Sequence, residues 1–168
     1  MIGMTHTWVV YESMFGNTRE VAEAVAAGLR EGGEVEVHEV SDATRLPPGL
    51  DLVVVGGPTH AFGLSRASTR EDAGTKAHRA VESASMGVRE WLAGLDGSTL
   101  PAYATFDTRV NHPRLPGSAA KKAAKRLRRM GATQAADPES FWVEGTEGPL
   151  VDGELDRARG WGRSLAHV

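Results

Sequence analysis

The sequence contains no cysteine among its 168 residues. This absence excludes disulfide bonds and thiolate ligands for metals, so any redox chemistry must come from a bound cofactor. We therefore expect a cytoplasmic protein that works without thiols. Long hydrophobic runs are lacking too: the longest aliphatic stretch, residues 52–55, is far shorter than the roughly 20 residues that span a bilayer. We expect neither a signal peptide nor a membrane helix.

An excess of one charge is also missing, because 19 basic residues stand against 22 acidic ones, for a formal net charge of −3. A weakly acidic protein is not drawn to nucleic acid or anionic membranes by its overall charge, so we expect neither as a main partner. The length suits one compact domain with a continuous core. We expect a single domain over residues 1–168.

Short strand-like runs alternate with segments of helical periodicity along the chain. Strands are predicted at residues 8–11, 35–40, 52–56, 101–106 and 141–143. Between them, apolar residues recur at helical spacing. We expect Asn17 to cap the first helix and Ser118 to cap a later one. Leu155, Ala158, Gly162 and Leu165 are expected on one side of the last helix.

This alternation predicts an α/β fold, a doubly wound five-stranded parallel sheet of order 2-1-3-4-5 between two helical layers. The connection at residues 41–51 is close to the shortest that a parallel crossover allows. Residues 65–80 suit either a lid or a helix. In this strand order the chain reverses direction between strands 1 and 3, so the loops after residues 11 and 56 open side by side, where such sheets bind ligands.

The loop after the first strand, which we call the first loop, suits an anion; it comprises Ser13, Met14, Phe15, Gly16, Asn17 and Thr18. Ser13 and Thr18 offer hydroxyl groups, Gly16 permits a bend, and the start of the next helix presents unpaired N–H groups. The loop holds no lysine or arginine, so neutral donors would bind a phosphate here. The same residues also suit an ordinary helix capped by a hydroxyl group.

The pattern Tyr-x-Ser-x-x-Gly-Asn-Thr directly after a hydrophobic strand resembles the phosphate loop of the flavodoxin family. Ser13, Gly16 and Thr18 match the family's usual Thr/Ser-x-Thr-Gly-x-Thr, whereas Phe15 replaces a hydroxyl residue. The resemblance implies a flavodoxin-like fold over essentially the whole chain. It also implies FMN as the cofactor, held by its phosphate at this loop.

The second loop follows the third strand and comprises Pro58, Thr59, His60, Ala61, Phe62 and Gly63. Flavodoxin-like proteins place an aromatic residue against the flavin ring here and a glycine near its reactive nitrogen. The resemblance therefore implies these roles for Phe62 with Gly63, or for His60. The alternative is a turn-rich loop with a half-buried phenylalanine.

The third loop follows the fourth strand, where the family contacts the pyrimidine edge of the flavin. Its candidate residues are Thr105, Phe106, Asp107 and Arg109. The match is by location only, because the family's usual Gly-Asp and second stacking tyrosine are missing. In the alternative interpretation, Phe106 simply ends the strand in the core.

Cations cluster in sequence around the second and third loops: Arg66, Arg70, Arg109, His112 and Arg114. Near a flavin they would stabilise its negatively charged reduced form and raise its redox potential. They also suit solvated loop positions. A further basic run occupies a predicted helix, at Lys121, Lys122, Lys125, Arg126, Arg128 and Arg129. It suits either a solvated outer face or a docking face for an acidic redox partner.

We interpret the sequence as an FMN-binding electron-transfer protein in which the flavin performs the chemistry and no side chain is catalytic. One alternative is an FMN-dependent oxidoreductase that accepts electrons from NAD(P)H or a quinone, with His60 and Arg109 near the ring edge. Another is a flavodoxin-fold binding module that has lost flavin. Classical flavodoxins are far more acidic, which implies a different redox partner for this chain. No pair of histidines has metal-ligand spacing, so no metal site is expected.

Overall fold

The computed structural model describes residues 4–60, 62–111 and 116–168. These residues form five strands and five α-helices, in the order β1 (Thr5–Tyr11), α1 (Asn17–Leu29), β2 (Gly33–Glu39), β3 (Leu52–Pro58), α2 (Ala67–Ala77), α3 (Val88–Ala93), β4 (Ala102–Val110), α4 (Ala119–Arg129), β5 (Glu139–Val143) and α5 (Glu154–Leu165). Short 3-10 turns lie at Val40–Asp42 and Gly97–Thr99. Among the described helices, none has the length and apolar character needed to cross a membrane.

All strand pairs are parallel, and their order is β2-β1-β3-β4-β5, as predicted. The short connection between β2 and β3 forms its crossover with only the 3-10 turn at Val40–Asp42. Trp91 of α3 fastens this connection by donating its indole N–H to the carbonyl oxygen of Ala43 at 2.6 Å. The register places Tyr11 beside Gly56, so the first and second loops leave the sheet next to each other.

Two hydrophobic cores lie on opposite faces of the sheet, which gives the predicted three layers. Successive residues of a strand point to opposite faces. Val53 and Val55 therefore pack on one side with α3 and α4, whereas Val54 packs on the other side with α1 and α5. Because both faces of β3 are covered, this strand is apolar without interruption.

Strand β4 is longer than the sequence predicts, because it continues through the residues assigned to the third loop. Its hydrophobic pattern ends at Phe106, but Asp107 and Thr108 still pair with Gly57 and Pro58 of β3. Their polar side chains find buried hydrogen-bond partners, so the strand ends only at Val110. The loop at this edge of the sheet therefore begins after residue 110.

Two helix starts also differ from the prediction. Gly16, with a left-handed φ of 98°, is the N-cap of α1, and the side chain of Asn17 instead donates to the carbonyl oxygen of Glu147 at 3.1 Å. In α5, Leu155 is 42% exposed, while Glu154 beside it is buried and paired with an arginine of its own helix. The assignment of Asn17 as a cap was wrong, and Leu155 does not share the burial of Ala158, Gly162 and Leu165.

Glycines let α1 and α5 approach closely. A Cβ atom on Gly28 would lie 2.1 Å from the carbonyl oxygen of Arg159, and one on Gly162 would lie 2.1 Å from that of Val25. Real Cβ atoms essentially never come that close to another heavy atom. Helix α5 therefore braces the helix that begins at the first loop.

Candidate functional site

A cavity opens at the carboxyl edge of the sheet, where doubly wound folds bind ligands. It is lined by Ser13, Met14, Phe15, Asn17, Thr18, Pro58, Thr59, His60, Ala73, Thr108, Arg109, Val110, Val143 and Thr146. Its volume of about 150 Å³ is below the roughly 300 Å³ of the smallest ordinary ligand pockets, so a ligand of nucleotide size would stay partly exposed.

The first loop has the geometry of an anion site. Gly16 adopts a conformation that favours glycine, and its N–H donates to the hydroxyl oxygen of Ser13 at 3.1 Å. The hydroxyl hydrogen of Ser13 therefore remains available to a ligand. The hydroxyl groups of Thr18 and Thr108 lie 2.8 Å apart, so one hydrogen joins them and the other can be donated.

Segments distant in sequence hold the first loop in place. The N–H groups of Glu82 and Ser83 donate to the carbonyl oxygens of Met14 and Ser13 at 2.9 and 2.8 Å. The side chain of Ser83 accepts the N–H of Ser13 at 2.9 Å. Together with the bond from Asn17 to the 144–149 loop, these contacts fix the loop from two sides. Sequence reasoning did not find residues 82, 83 and 147, since their partners lie about 70 to 130 residues away.

Two cations lie against the first loop although the loop itself contains none. The guanidinium of Arg79 stands 4.8 Å from the centroid of the Phe15 ring and pairs with Glu147 at 3.2 Å. Arg19 pairs with Glu82 at 3.2 Å beside Gly16. Phe15, which replaces a hydroxyl residue of the family pattern, thus carries a cation on its face.

The second loop forms a tight turn. His60 and Gly63 exchange two backbone hydrogen bonds of 2.7 and 2.8 Å, and the N–H of Thr59 donates to the carbonyl oxygen of Thr108 at 3.0 Å. Phe62 occupies the tip of the turn with a φ of 71° and is 55% exposed. Its ring is therefore accessible from solvent. Ala61 lies outside the described residues.

Burial, and to a smaller extent the positive charge of Arg70, lower the pKa of His60 to about 4. The imidazole is therefore neutral at pH 7. Its Nδ1 lies 3.2 Å from the hydroxyl oxygen of Thr69 in α2, which fixes the ring against that helix. His60 is thus a neutral polar group at the cavity and adds no positive charge to it.

Two candidate residues of the third loop, Thr105 and Phe106, lie in the interior of the protein. Phe106 is 1% exposed and packs edge-on against Phe141 and Trp161, with ring centroids 6.1 Å away in both cases. Thr105 faces the opposite side of the sheet and donates to the carbonyl oxygen of Ala120 at 2.9 Å. The side chains of both residues belong to the interior, and neither residue lines the cavity. Arg109 does line the cavity.

Asp107 joins the second loop to the start of α4. One oxygen of its fully buried carboxylate accepts hydrogen bonds from the hydroxyl groups of Ser118 at 2.5 Å and Thr59 at 3.2 Å, and from the N–H of Ala120 at 3.1 Å. The other oxygen has no partner among the described residues. Asp107 therefore positions Thr59 at the cavity without lining it. Ser118 caps α4 as predicted.

A network of buried charged and polar side chains lies next to the first and second loops. The carboxylate of Glu12 accepts the hydroxyl of Ser65 and the N–H of Val88, and Ser65 also accepts a hydrogen bond from Arg70 at 2.9 Å. Arg70 pairs with Glu90 at 2.5 Å. Burial raises the pKa of Glu12, against the hydrogen bonds that it accepts.

Arg70 was grouped with the loop cations that suit solvated positions, but it is 3% exposed. Its charge nevertheless acts on the site, as the pKa of His60 shows. His112 and Arg114, from the same group, lie outside the described residues. Residues 65–80, left open between a lid and a helix, contain α2, and Ala73 of this helix lines the cavity.

The cavity thus brings together residues 13–15, 17, 18 and 58–60 with Arg109, all of which are candidate cofactor-binding residues from the sequence. Sequence reasoning missed Ala73, Thr108, Val110, Val143 and Thr146. Of these residues, only Thr108 and Val110 could have been found from the sequence, because they are the neighbours of Arg109 on a strand that ends at the carboxyl edge of the sheet. In residues 4–60, 62–111 and 116–168, no group of three or more histidines and carboxylates could hold a metal ion.

A family model for flavodoxin matches residues 9–161, which include all three predicted loops. The chain belongs to the flavodoxin family. Membership indicates a flavin-binding, flavodoxin-like function, in agreement with the chemistry of the first loop. A comparison with curated protein sequences found no significant match.

Solved structures agree on the fold. A flavodoxin from the domain Archaea is 19% identical, with a TM-score of 0.63, and the match covers 97% of each chain. Oxidised flavodoxin 2 from Bacillus cereus is 15% identical, with a TM-score of 0.68, and covers 97% of this chain and 99% of its own. The flavodiiron protein from Giardia intestinalis is 18% identical, with a TM-score of 0.60; 96% of this chain matches 35% of that one. At such identities these likenesses show a shared fold.

Proposed function

We propose that this protein binds FMN at the carboxyl edge of its sheet and transfers electrons. The phosphate would bind at the first loop, and the flavin ring would lie beside the second loop and Arg109. The observation that carries the proposal is the first loop itself: in a flavodoxin-family chain, its hydroxyl groups and helix N-terminus line the same cavity as the second loop.

The residues present fit this cofactor. The free amides of the first helical turn and the hydroxyl groups of Ser13 and Thr18 are neutral donors, which suit a phosphate dianion at the positive end of a helix. The left-handed Gly16 brings the backbone close to the anion without a side chain in the way. Arg19 and Arg79 add positive charge at the rim, although each is paired with a glutamate.

FMN, when bound, supplies the one- and two-electron chemistry, and the protein's residues bind and orient it. Thr59 is fixed by Asp107, and His60 by Thr69, so the polar groups at the ring end of the cavity have defined positions. Phe62 offers an exposed aromatic face at the tip of the second loop. No side chain is required as a general acid or base.

The proposal is tested by titrating the flavin-free protein with FMN and with riboflavin, which lacks the phosphate, while following the quenching of flavin fluorescence. We expect FMN to bind at least tenfold more tightly, because several charge-assisted hydrogen bonds reach only the phosphate, and each contributes about 1.5 kcal/mol or more. Equal affinities for the two ligands would contradict the assignment of the first loop. Absence of binding to either would favour the module that has lost flavin.

A stopped-flow experiment separates the electron carrier from the oxidoreductase. The FMN-loaded protein is mixed anaerobically with NADH, NADPH or a hydroquinone, and flavin absorbance is followed. For a carrier we expect no bleaching by these donors within seconds, whereas a reduced protein partner would bleach the flavin. Rapid bleaching by NADPH would instead support the FMN-dependent oxidoreductase. The cytoplasmic location expected from the sequence stays a prediction.

A further inference from the structure

Helix α4 presents a purely basic outer face. Its six cations are Lys121, Lys122, Lys125, Arg126, Arg128 and Arg129, and its 11 residues include no acid. The inner face is alanine with Leu127, which packs against the sheet. Since the whole chain has a net charge of −3, these cations are segregated from the acidic residues and not balanced by them.

Two further cations from other elements join this face. Arg89 of α3 lies close to Arg66, directly before α2, and to Arg126 of α4; burial, together with the positive charges of these two arginines, lowers the pKa of Arg89. The Arg89 guanidinium donates to the carbonyl oxygens of Leu64 at 3.0 Å and Ser65 at 3.1 Å, which are neutral acceptors. We call Arg66, Arg89, Lys122 and Arg126 the basic patch.

Among the described residues, no ion pair joins the basic patch to a carboxylate. The carboxylate that most offsets the charge on Arg89 is Glu90, and this group is already paired with the buried Arg70 at 2.5 Å. Like charges held together destabilise a fold. The basic patch combines cations from three separate elements of the fold, and stabilisation of the folded state does not explain this arrangement.

The basic patch adjoins the cavity. The aliphatic part of Lys122 lies against Gly63, where an added Cβ would be 2.8 Å from the lysine Cδ and 3.0 Å from Nζ. Phe62, next in the chain, stands exposed at the tip of the second loop, and its backbone rests on Gly117 just before α4. An accessible apolar ring thus lies beside clustered cations at the edge where a flavin would be exposed.

We propose that Phe62 and the basic patch form a docking surface for an acidic electron-transfer protein. The inference rests on the proposed electron-transfer function and adds the chemistry of the partner. Complementary charge steers such an encounter, and an aromatic side chain among charges is typical of a protein interface. The position favours a redox protein over nucleic acid or lipid, because electron exchange requires approach to the cavity edge.

The test uses the FMN-loaded protein, reduced with dithionite and mixed in stopped flow with acidic cytochrome b5 or basic cytochrome c. With cytochrome b5 we expect the second-order rate constant to fall at least tenfold between low and high ionic strength, since salt screens opposite charges. With cytochrome c it should stay level or rise. Lys122→Glu with Arg126→Glu should lower the cytochrome b5 rate at least tenfold at low salt, with FMN content unchanged.

The matched control is Arg30→Glu with Arg159→Glu, which makes the same charge change on exposed residues of the α1 and α5 layer. We expect it to alter the cytochrome b5 rate less than twofold. Equal effects of the two double variants, or the same salt dependence with both cytochromes, would overturn the docking surface. Co-sedimentation with phosphatidylserine vesicles that only the patch variant loses would overturn it in favour of a lipid. If neither cytochrome is reduced, electron transfer itself fails, and the docking surface with it.

Discussion

Two glycines of α5 stand two positions apart in the same helix and have different surroundings. Gly162 faces α1, where an added Cβ would lie 2.1 Å from the carbonyl oxygen of Val25. Gly160 has nothing within 4 Å of such an atom. Replacing each with alanine therefore separates a glycine required for helix contact from one that is not.

The expected effects have opposite signs. Alanine is better than glycine inside a helix by about 1 kcal/mol, and this gain applies at both positions. At Gly162 the Cβ must move from 2.1 Å to at least 3.0 Å from backbone atoms, which cannot rotate away. For the added Cβ at Gly162 we take a destabilisation of about 3 kcal/mol, at the upper end of the usual range for overpacking. Gly160→Ala should thus raise the free energy of unfolding by up to about 1 kcal/mol, and Gly162→Ala should lower it by about 2 kcal/mol.

Thermal unfolding followed by circular dichroism measures the difference. For a domain of this size, 1 kcal/mol shifts the melting temperature by about 2–4 °C, so Gly162→Ala should melt about 4–8 °C lower and Gly160→Ala slightly higher than the unchanged protein. Because α1 begins at the first loop, Gly162→Ala should also weaken FMN binding. If Gly162→Ala stabilises the protein as much as Gly160→Ala does, the close approach of α1 and α5 is refuted.

Three further predictions concern the site. Thr18→Val should weaken FMN binding about tenfold, because a hydrogen bond to a charged acceptor contributes about 1.5 kcal/mol. The affinity for riboflavin, which has no phosphate, should stay unchanged. Equal losses of affinity for FMN and riboflavin would show that Thr18 does not bind the phosphate. Phe106→Ala should lower the free energy of unfolding, measured in urea, by about 3–5 kcal/mol, as expected for an aromatic residue of the core. The visible spectrum of bound FMN should stay unaltered. A loss below about 1 kcal/mol would contradict the assignment of Phe106 to the core. His60 has its folded pKa lowered from 6.5 to about 4, so the unfolded state takes up its proton first as the pH falls. The free energy of unfolding should therefore decrease from pH 6.5 down to about pH 4, and His60→Gln should flatten that interval of the pH profile; an unchanged profile would contradict the burial of His60.

The first loop could be predicted as an anion site from the sequence because its parts are contiguous. Ser13, Gly16 and Thr18 all lie in the short connection between β1 and α1 or in the first turn of α1. The prediction of an anion site there requires only the backbone geometry of that connection and the polarity of the helix. The strand order could be predicted for a similar reason. Alternating strands and helices with right-handed crossovers leave few topologies, and the chain reversal places the first and second loops together in the observed one.

The third loop failed because strand ends were judged by hydrophobicity. Asp107 and Thr108 look like loop residues in a one-dimensional pattern, yet they continue β4. Their side chains form hydrogen bonds with Ser118 and Thr18, which lie 11 and 90 residues away. Helix α2 was similarly hidden, since it has little apolar periodicity and is held by the buried Arg70.

By itself, the sequence determined the fold class and the strand order, and it predicted an anion site at the first loop. These depend on local propensity, on periodicity and on the handedness of connections. Tertiary structure alone decided which charges are buried, such as Glu12 and Arg70, and which cations meet, such as Arg89 and Arg126. The reason is that burial and electrostatic contact depend on distances through space, and here the partners come from separate elements of the chain.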